Sequence, residues 1–398
     1  VETTDVSPLF TPLTLGRLTL PNRFVMPGMQ RGWCRGGAPT PKMVEYYRAR
    51  AEGGVSLIIT EAVAVDHPSA TQAPSYARMT SQAFPAWARC VQAVKDAGGH
   101  MFIQLWHEGA IRKEGPLSDY SSYRTLSPSG LVRGGTPSGI AASVADLESI
   151  KSAFVRGALA ARKLGADGVE IHSCHGYLLD QFLWAETNRR TDGYGGDDIA
   201  ARARYPAEVV AAVREAVGQD FAISFRLSQW KEIDFKAKIV RTPEELGVLL
   251  RALRSAGVDL FHVSTRRFFE PEWPGSDLGL AGWTRKLSGM PVITVGSVGL
   301  ELDVMESFAG KEVTPQVERG LKELLRRFAN HEFDLVAAGR SNISDSQWVR
   351  KVREGRFGDI RIFHKEHLGT QEFDNMAYVT DAFREHMADL QLQYKTEL

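Results

Sequence analysis

Cysteine is scarce: Cys34, Cys90 and Cys174 are the three in 398 residues. An odd number with no close pair argues against a disulfide framework or an iron–sulfur cluster, and for a reducing compartment. Long apolar runs are missing too. The longest, 55–65, is broken by Glu61 and is too short to cross a bilayer. The polar start VETTDVSP has no signal-peptide pattern, so the cytoplasm is the expected compartment. Net charge is absent: 48 Lys plus Arg balance 48 Asp plus Glu, so no global field draws nucleic acid or an anionic membrane. The expected partner is a small molecule recognised locally. No low-complexity segment appears, and no Gly-x-Gly-x-x-Gly follows the first strand-like run, which disfavours a dinucleotide-binding Rossmann start. What is present, 43% hydrophobic and 24% charged residues, suits a globular chain with a large core.

Strand-like apolar runs alternate with helical ones from end to end, the pattern of a parallel sheet built from βα units. Strands are expected at 23–26, 56–60, 101–105, 169–171, 222–226, 260–263, 292–295 and 335–338. Eight repeats predict an α/β fold of the TIM (β/α)8 barrel type. Between them run stripes of helical period, such as Leu246, Leu249, Leu250 and Leu253, or Val317, Leu321, Leu324, Leu325 and Phe328. Beyond the barrel, Met376, Val379, Phe383, Met387, Leu390 and Tyr394 fall at steps of three and four. The chain therefore reads as a barrel over 1–358 and a helical extension over 359–398, whose apolar face packs on the barrel or on a second subunit of a homo-oligomer.

In such barrels chemistry sits where the strands end, and these ends are polar. The densest stretch is 167–196, DGVEIHSCHGYLLDQFLWAETNRRTDGYGG. His172 and His175 stand three apart with Tyr177 two further on, so a turn after the strand would bring two imidazoles and a phenol to one pocket. Neutral imidazoles can donate to one oxygen and a phenol can give up a proton, which suits polarising a carbonyl and protonating the carbon beside it. As a zinc site the pair lacks a clear third ligand, Cys174 being expected to point elsewhere, and no metal is assigned. Arg226 interrupts a buried strand, either as half of an internal salt bridge or as a fixed positive charge facing an electron-rich ring. Gly296–Ser297 and Gly339–Arg340 close the seventh and eighth strands, where barrels of this kind bind phosphate. A phosphorylated cofactor across the mouth accounts for both turns.

The motifs HSCHGYLLDQFL and NRRTDGYGG closely resemble those of the Old Yellow Enzyme family of flavin-dependent ene-reductases, and the likeness runs from about Leu9 to about Phe357. The resemblance implies FMN as cofactor and NADH or NADPH as reductant. It places Pro27, Gly28, Ala62 and Gln104 against the flavin ring with Met29 and Gln30 beside them, Arg226 at the reduced flavin's negative charge, and Gly296, Ser297, Gly339 and Arg340 on the phosphate. It makes His172 and His175 the substrate-oxygen ligands and Tyr177 the proton donor. Gln30 departs from the family's usual Thr or Cys, a position that tunes the flavin, and Arg112 is displaced from the usual Gly–Arg step. Larger relatives add a cysteine cluster after the barrel, whose spacing is absent here.

Three functions compete on this reading. The first is reduction of an activated C=C bond in an enone, enal or nitroalkene. The second reverses the flow, as a dehydrogenase or demethylase-type oxidation of a ketone, amine or ring substrate. The third is a flavin-binding sensor, disfavoured because sensing needs no aligned proton donor. Two long loops, 108–144 and 265–282, are expected to cover the mouth.

Overall fold

The computed structural model describes residues 4–114, 120, 122–300, 317–364 and 367. Eight strands run parallel: β1 (Phe24–Met26), β2 (Leu57–Ala64), β3 (His100–Trp106), β4 (Gly168–His175), β5 (Ala222–Lys231), β6 (Leu260–Ser264), β7 (Val292–Val295) and β8 (Leu335–Ala337). Each pairs with the next, and β1 pairs with both β2 and β8, which closes the barrel. All eight expected strands are present. Three run well past their expected ends: β2 to Ala64 and β4 to His175, four residues each, and β5 to Lys231, five.

The crossover helices are α1 (Pro41–Glu52), α2 (Phe84–Asp96), α3 (Val144–Lys163), α4 (Leu178–Leu183), α5 (Ile199–Val217), α6 (Pro243–Ala256), α7 (Leu280–Ser288) and α8 (Val317–Ala329). α6 shows why they form. The Thr242 side chain accepts from Glu245 N, Pro243 opens the first turn, and Gly257 ends the last. Leu246, Leu249, Leu250 and Leu253 are all buried against the barrel, each contributing about 1.5–3 kcal/mol relative to exposure. The α8 stripe is likewise turned inward, with Val317, Leu321 and Leu324 buried and Leu325 and Phe328 packed against them.

Inside the barrel the strand period of two sorts residues into layers. Leu57, Ile59, Phe102, Ala222, Leu260, Ile293 and Leu335 fill the lower layer, which Leu15 and Leu20 of an antiparallel hairpin plug from below. The layer above is polar and carries Gln104, Glu170, Ser224 and His262. Past α9 (Arg340–Ser344) and α10 (Trp348–Arg353), Phe363 is buried and Arg361 N donates to Asp345. The apolar stripe expected between Met376 and Tyr394 lies outside the described residues.

Candidate active site

His172 and Cys174 share one face of β4, because side chains two apart on a strand point the same way. His175 should face the opposite way, yet its backbone takes φ +62°, and the register with β5 shifts between Ser173 and His175. That left-handed residue brings its ring to 5.7 Å from the His172 ring, and the Tyr177 ring lies 5.1 Å from the His172 ring. The three expected residues therefore converge. His175 Nε2 shares a 2.7 Å hydrogen bond with Ser264 Oγ, and its ring lies 4.5 Å from that of Trp230. Trp106 stands edge-on to Tyr177 at 5.2 Å, and the Tyr177 hydroxyl donates to Glu232 Oε2 at 3.3 Å.

Cys174 does not point elsewhere, which corrects the expectation. Its Sγ lies 3.8 and 3.9 Å from the two ring nitrogens of His172, and the donor atoms of His172, Cys174 and His175 all fall within 4.8 Å of one another. A third donor thus stands beside the pair.

Burial, followed by the nearby Arg226 guanidinium, depresses the His172 imidazole to about 3. The same two causes hold His175 well below its ordinary value. Both rings are neutral at physiological pH. Tyr177 moves the opposite way: burial first, then the Glu232 charge, push its phenol well above the ordinary range. The site therefore offers two neutral imidazoles and a protonated phenol.

Arg226 pairs in register with His172 on one side and His262 on the other. It forms no ion pair among the described residues; its Nη1 donates to Gly28 O at 3.3 Å and its buried Nε has no hydrogen-bond partner. The salt-bridge alternative is set aside. An unpaired buried guanidinium costs several kcal/mol, so a ligand with electron-rich atoms fits there. Gly28 crosses the Gln104 amide so closely that a Cβ would stand 2.8 Å from Gln104 Nε2 and 2.5 Å from Thr60 O. Ala62 is the register partner of Gln104. Pro27 is buried, Met29 and Gln30 are half-buried, and Gln30 Nε2 is a buried donor with no partner among the described residues.

The two strand-end turns meet. Gly296 has φ +141° and Ser297 φ +55°, and a Cβ on Gly296 would lie 2.4 Å from Thr265 O. Arg340 Nη2 donates to Ser297 Oγ at 3.2 Å across them. Met29 packs on Gly339, joining this cradle to the β1 end. The donors, the tight glycine and the fixed charge suit a phosphate.

Sequence reading missed Glu170, His262, Ser264, Trp230 and Glu232. A signal existed for the first two, since Glu170 has the strand parity of His172 and His262 interrupts an apolar run as Arg226 does. His107, a polar strand end, is structural: Nε2 bonds Ser69 Oγ at 2.8 Å and Nδ1 accepts from Gly109 N at 3.0 Å. In the loop 265–282 the aromatics and arginines pack on their own surroundings: Arg266 lies over Phe235, Phe268 is buried, and Trp273 Nε1 donates to Arg241 O.

Residues 8–314 match the model of the NADH:flavin oxidoreductase / NADH oxidase family. The chain is 32% identical over 369 residues to the NADH oxidase of Thermoanaerobacter brockii, covering 89% of this chain and 52% of that protein. It is 31% identical to 12-oxophytodienoate reductase 2 of Arabidopsis thaliana, over 64% and 70% of the two chains. Among solved structures, morphinone reductase superposes with a TM-score of 0.73 at 28% identity, covering 90% of this chain and 92% of that one. The chain spans about half the length of the first curated relatives it matches. Motifs, barrel and strand-end site agree with these matches, and the chain belongs to the NADH:flavin oxidoreductase / NADH oxidase family.

Proposed function

We propose that the protein is an FMN-dependent oxidoreductase that reduces an activated C=C bond, in an enone, enal or nitroalkene, with NADH or NADPH. The observation that carries this reading is the convergence of His172, His175 and Tyr177 beside a buried Arg226 without an ion-pair partner among the described residues. Relatives named morphinone reductase and 12-oxophytodienoate reductase support it.

Gly296, Ser297, Gly339 and Arg340 would hold the phosphate of FMN, and Pro27, Gly28, Met29, Gln30, Ala62, Gln104 and Arg226 would line the flavin ring. The chemistry supplied by bound FMN is hydride transfer from the nicotinamide to the substrate's β carbon. With Ser264 donating to Nε2, His175 keeps its proton on Nδ1 for the substrate oxygen. His172 supplies the second N–H. Because both rings are neutral, they polarise the carbonyl or nitro oxygen without protonating it. Tyr177 delivers its proton to the α carbon, and Arg226 offers a preorganised positive charge to the electron-rich ring.

The test is the visible spectrum of the purified protein under anaerobic conditions, before and after NADH or NADPH, followed by an enone and product analysis. A flavin spectrum that bleaches with reductant, recovers with enone and yields the saturated ketone is expected. A desaturated or demethylated product would move the assignment to the oxidative alternative. A colourless protein that takes up no FMN would overturn it.

A further inference from the structure

Glu170 has no part in the reaction above, yet it is a wholly buried carboxylate in the barrel's polar layer. Burial of an unpaired carboxylate costs several kcal/mol, so its neighbours must answer it. Gln104 Nε2 donates to Oε1 at 2.8 Å, Ser224 Oγ donates to Oε2 at 2.9 Å, and His262 Nδ1 meets Oε2 at 2.8 Å. Strand register builds this set: Glu170 lies opposite Gln104 on β3 and Ser224 on β5, and His262 lies opposite Arg226. Burial alone would raise the carboxyl, but His262, Arg226 and Gln104 outweigh it and hold Glu170 at about 2. Glu170 is therefore an anion at any working pH.

An ionised carboxylate only accepts, so it dictates the orientation of every group facing it. The Gln104 amide must turn its NH2 to Glu170, leaving Oε1 for the other side, and His262 must carry its proton on Nδ1. Arg226, two residues beyond Ser224 on the same face of β5, is a cation that faces Glu170 at longer range, so the two charges add with opposite sign at a ligand beside them.

We propose that Glu170 is a positioning residue for the flavin: it locks the Gln104 carbonyl towards the ring and offsets part of the Arg226 charge, which lowers the flavin's reduction potential. This rests on the flavin reading above. Removing the negative charge leaves the cation less opposed, so the electron-rich reduced flavin should be favoured over the oxidised form.

The test is the midpoint potential of FMN bound to Glu170→Gln, which keeps the shape and removes the charge. The ratio of affinities for reduced over oxidised flavin should rise on the order of tenfold, a potential increase of about 30 mV for a two-electron couple. Glu170→Asp, which keeps the charge, should return the potential towards that of the unchanged protein. If Glu170→Gln does not fold, Glu170→Gln/Arg226→Gln removes both charges, and its potential should still exceed that of Arg226→Gln alone. A flavin-loaded Glu170→Gln with an unchanged potential, or an Asp variant shifted as far as the Gln variant, would overturn the proposal and leave Glu170 a packing residue. Failure of the unchanged protein to bind flavin would instead sink the reading on which it rests.

Discussion

Tyr177→Phe deletes one hydroxyl and almost no volume. General acid assistance is worth about a hundred- to ten-thousandfold, so enone reduction should slow by that order. Reduction of the bound flavin by NADH or NADPH needs no proton from Tyr177 and should keep its rate in stopped-flow traces; equal slowing of both half-reactions would make Tyr177 structural. Glu232→Gln probes the same proton from its other end. Burial and then Glu232 raise the phenol, so without the carboxylate the phenol should ionise at lower pH and the alkaline limb of enone turnover should move down. An unmoved limb would show that the 3.3 Å contact does not tune the acid. At this scale the histidines and the tyrosine were legible as a cluster from their spacing at a strand end, and Arg226 because it interrupts a buried strand. Glu232 was not. It follows the end of β5, and its closeness to Tyr177 depends on a fold that brings positions 55 residues apart together.

The end of β4 shows what periodicity alone cannot give. Two residues three apart on a strand face opposite sides, and His175 joins His172 because its φ is +62°. His175→Asn should keep that conformation, since asparagine tolerates the left-handed region, whereas His175→Val should cost about 1–3 kcal/mol of strain and lower the melting temperature. Equal melting temperatures for the two variants would show that the turn is not strained. Periodicity did give the helices: the four leucines of α6 were read from spacing and are buried as read. It also located the turns at Gly296 and Gly339, since glycine after an apolar run marks a strand end. Arg340→Ala removes a charged donor from that cradle and should weaken FMN binding about ten- to a hundredfold, the equivalent of a charge-assisted hydrogen bond. Unchanged affinity by flavin fluorescence would exclude Arg340 from the phosphate site.

Across the whole molecule, the eight-strand count was legible because each strand is a short apolar run flanked by turn residues. The polar layer within the closed barrel was not, because it is assembled from single residues on different strands. That layer and the site above it leave a signature in stability against pH. Burial lowers the imidazoles of His67, His107, His172, His175 and His262, so each is neutral when folded and takes up a proton near its usual value of 6.5 when unfolded. Between that value and the depressed folded values the unfolded chain binds more protons, and stability falls as pH falls, by up to about 1.4 kcal/mol per pH unit for each histidine. Glu61 and Glu108, raised by burial to about 7, and Asp180, raised to about 6, work in the opposite sense. Their contribution is full below the unfolded carboxylate range and is lost as pH rises through the folded values. Five histidines against three carboxyls give a net loss on acidification below about 6.5, where the histidines dominate. Once pH drops below about 4.5 the unfolded carboxyls are protonated as well, their opposition disappears, and the ionised Glu170 adds its own loss. Above about 6.5 the histidine contribution fades over about one pH unit while the raised glutamates oppose it through about pH 7, so the curve levels off. Thermal melts from pH 4.5 to 8 should therefore fall on the acid side of about pH 6.5 and change little above about pH 7, and Glu61→Gln and Glu108→Gln, which remove the opposing carboxyls, should steepen the acid-side fall. A melting temperature that is level between pH 7 and 5 would show that these histidines take up protons in the folded chain, and that the site is wetter than its burial implies.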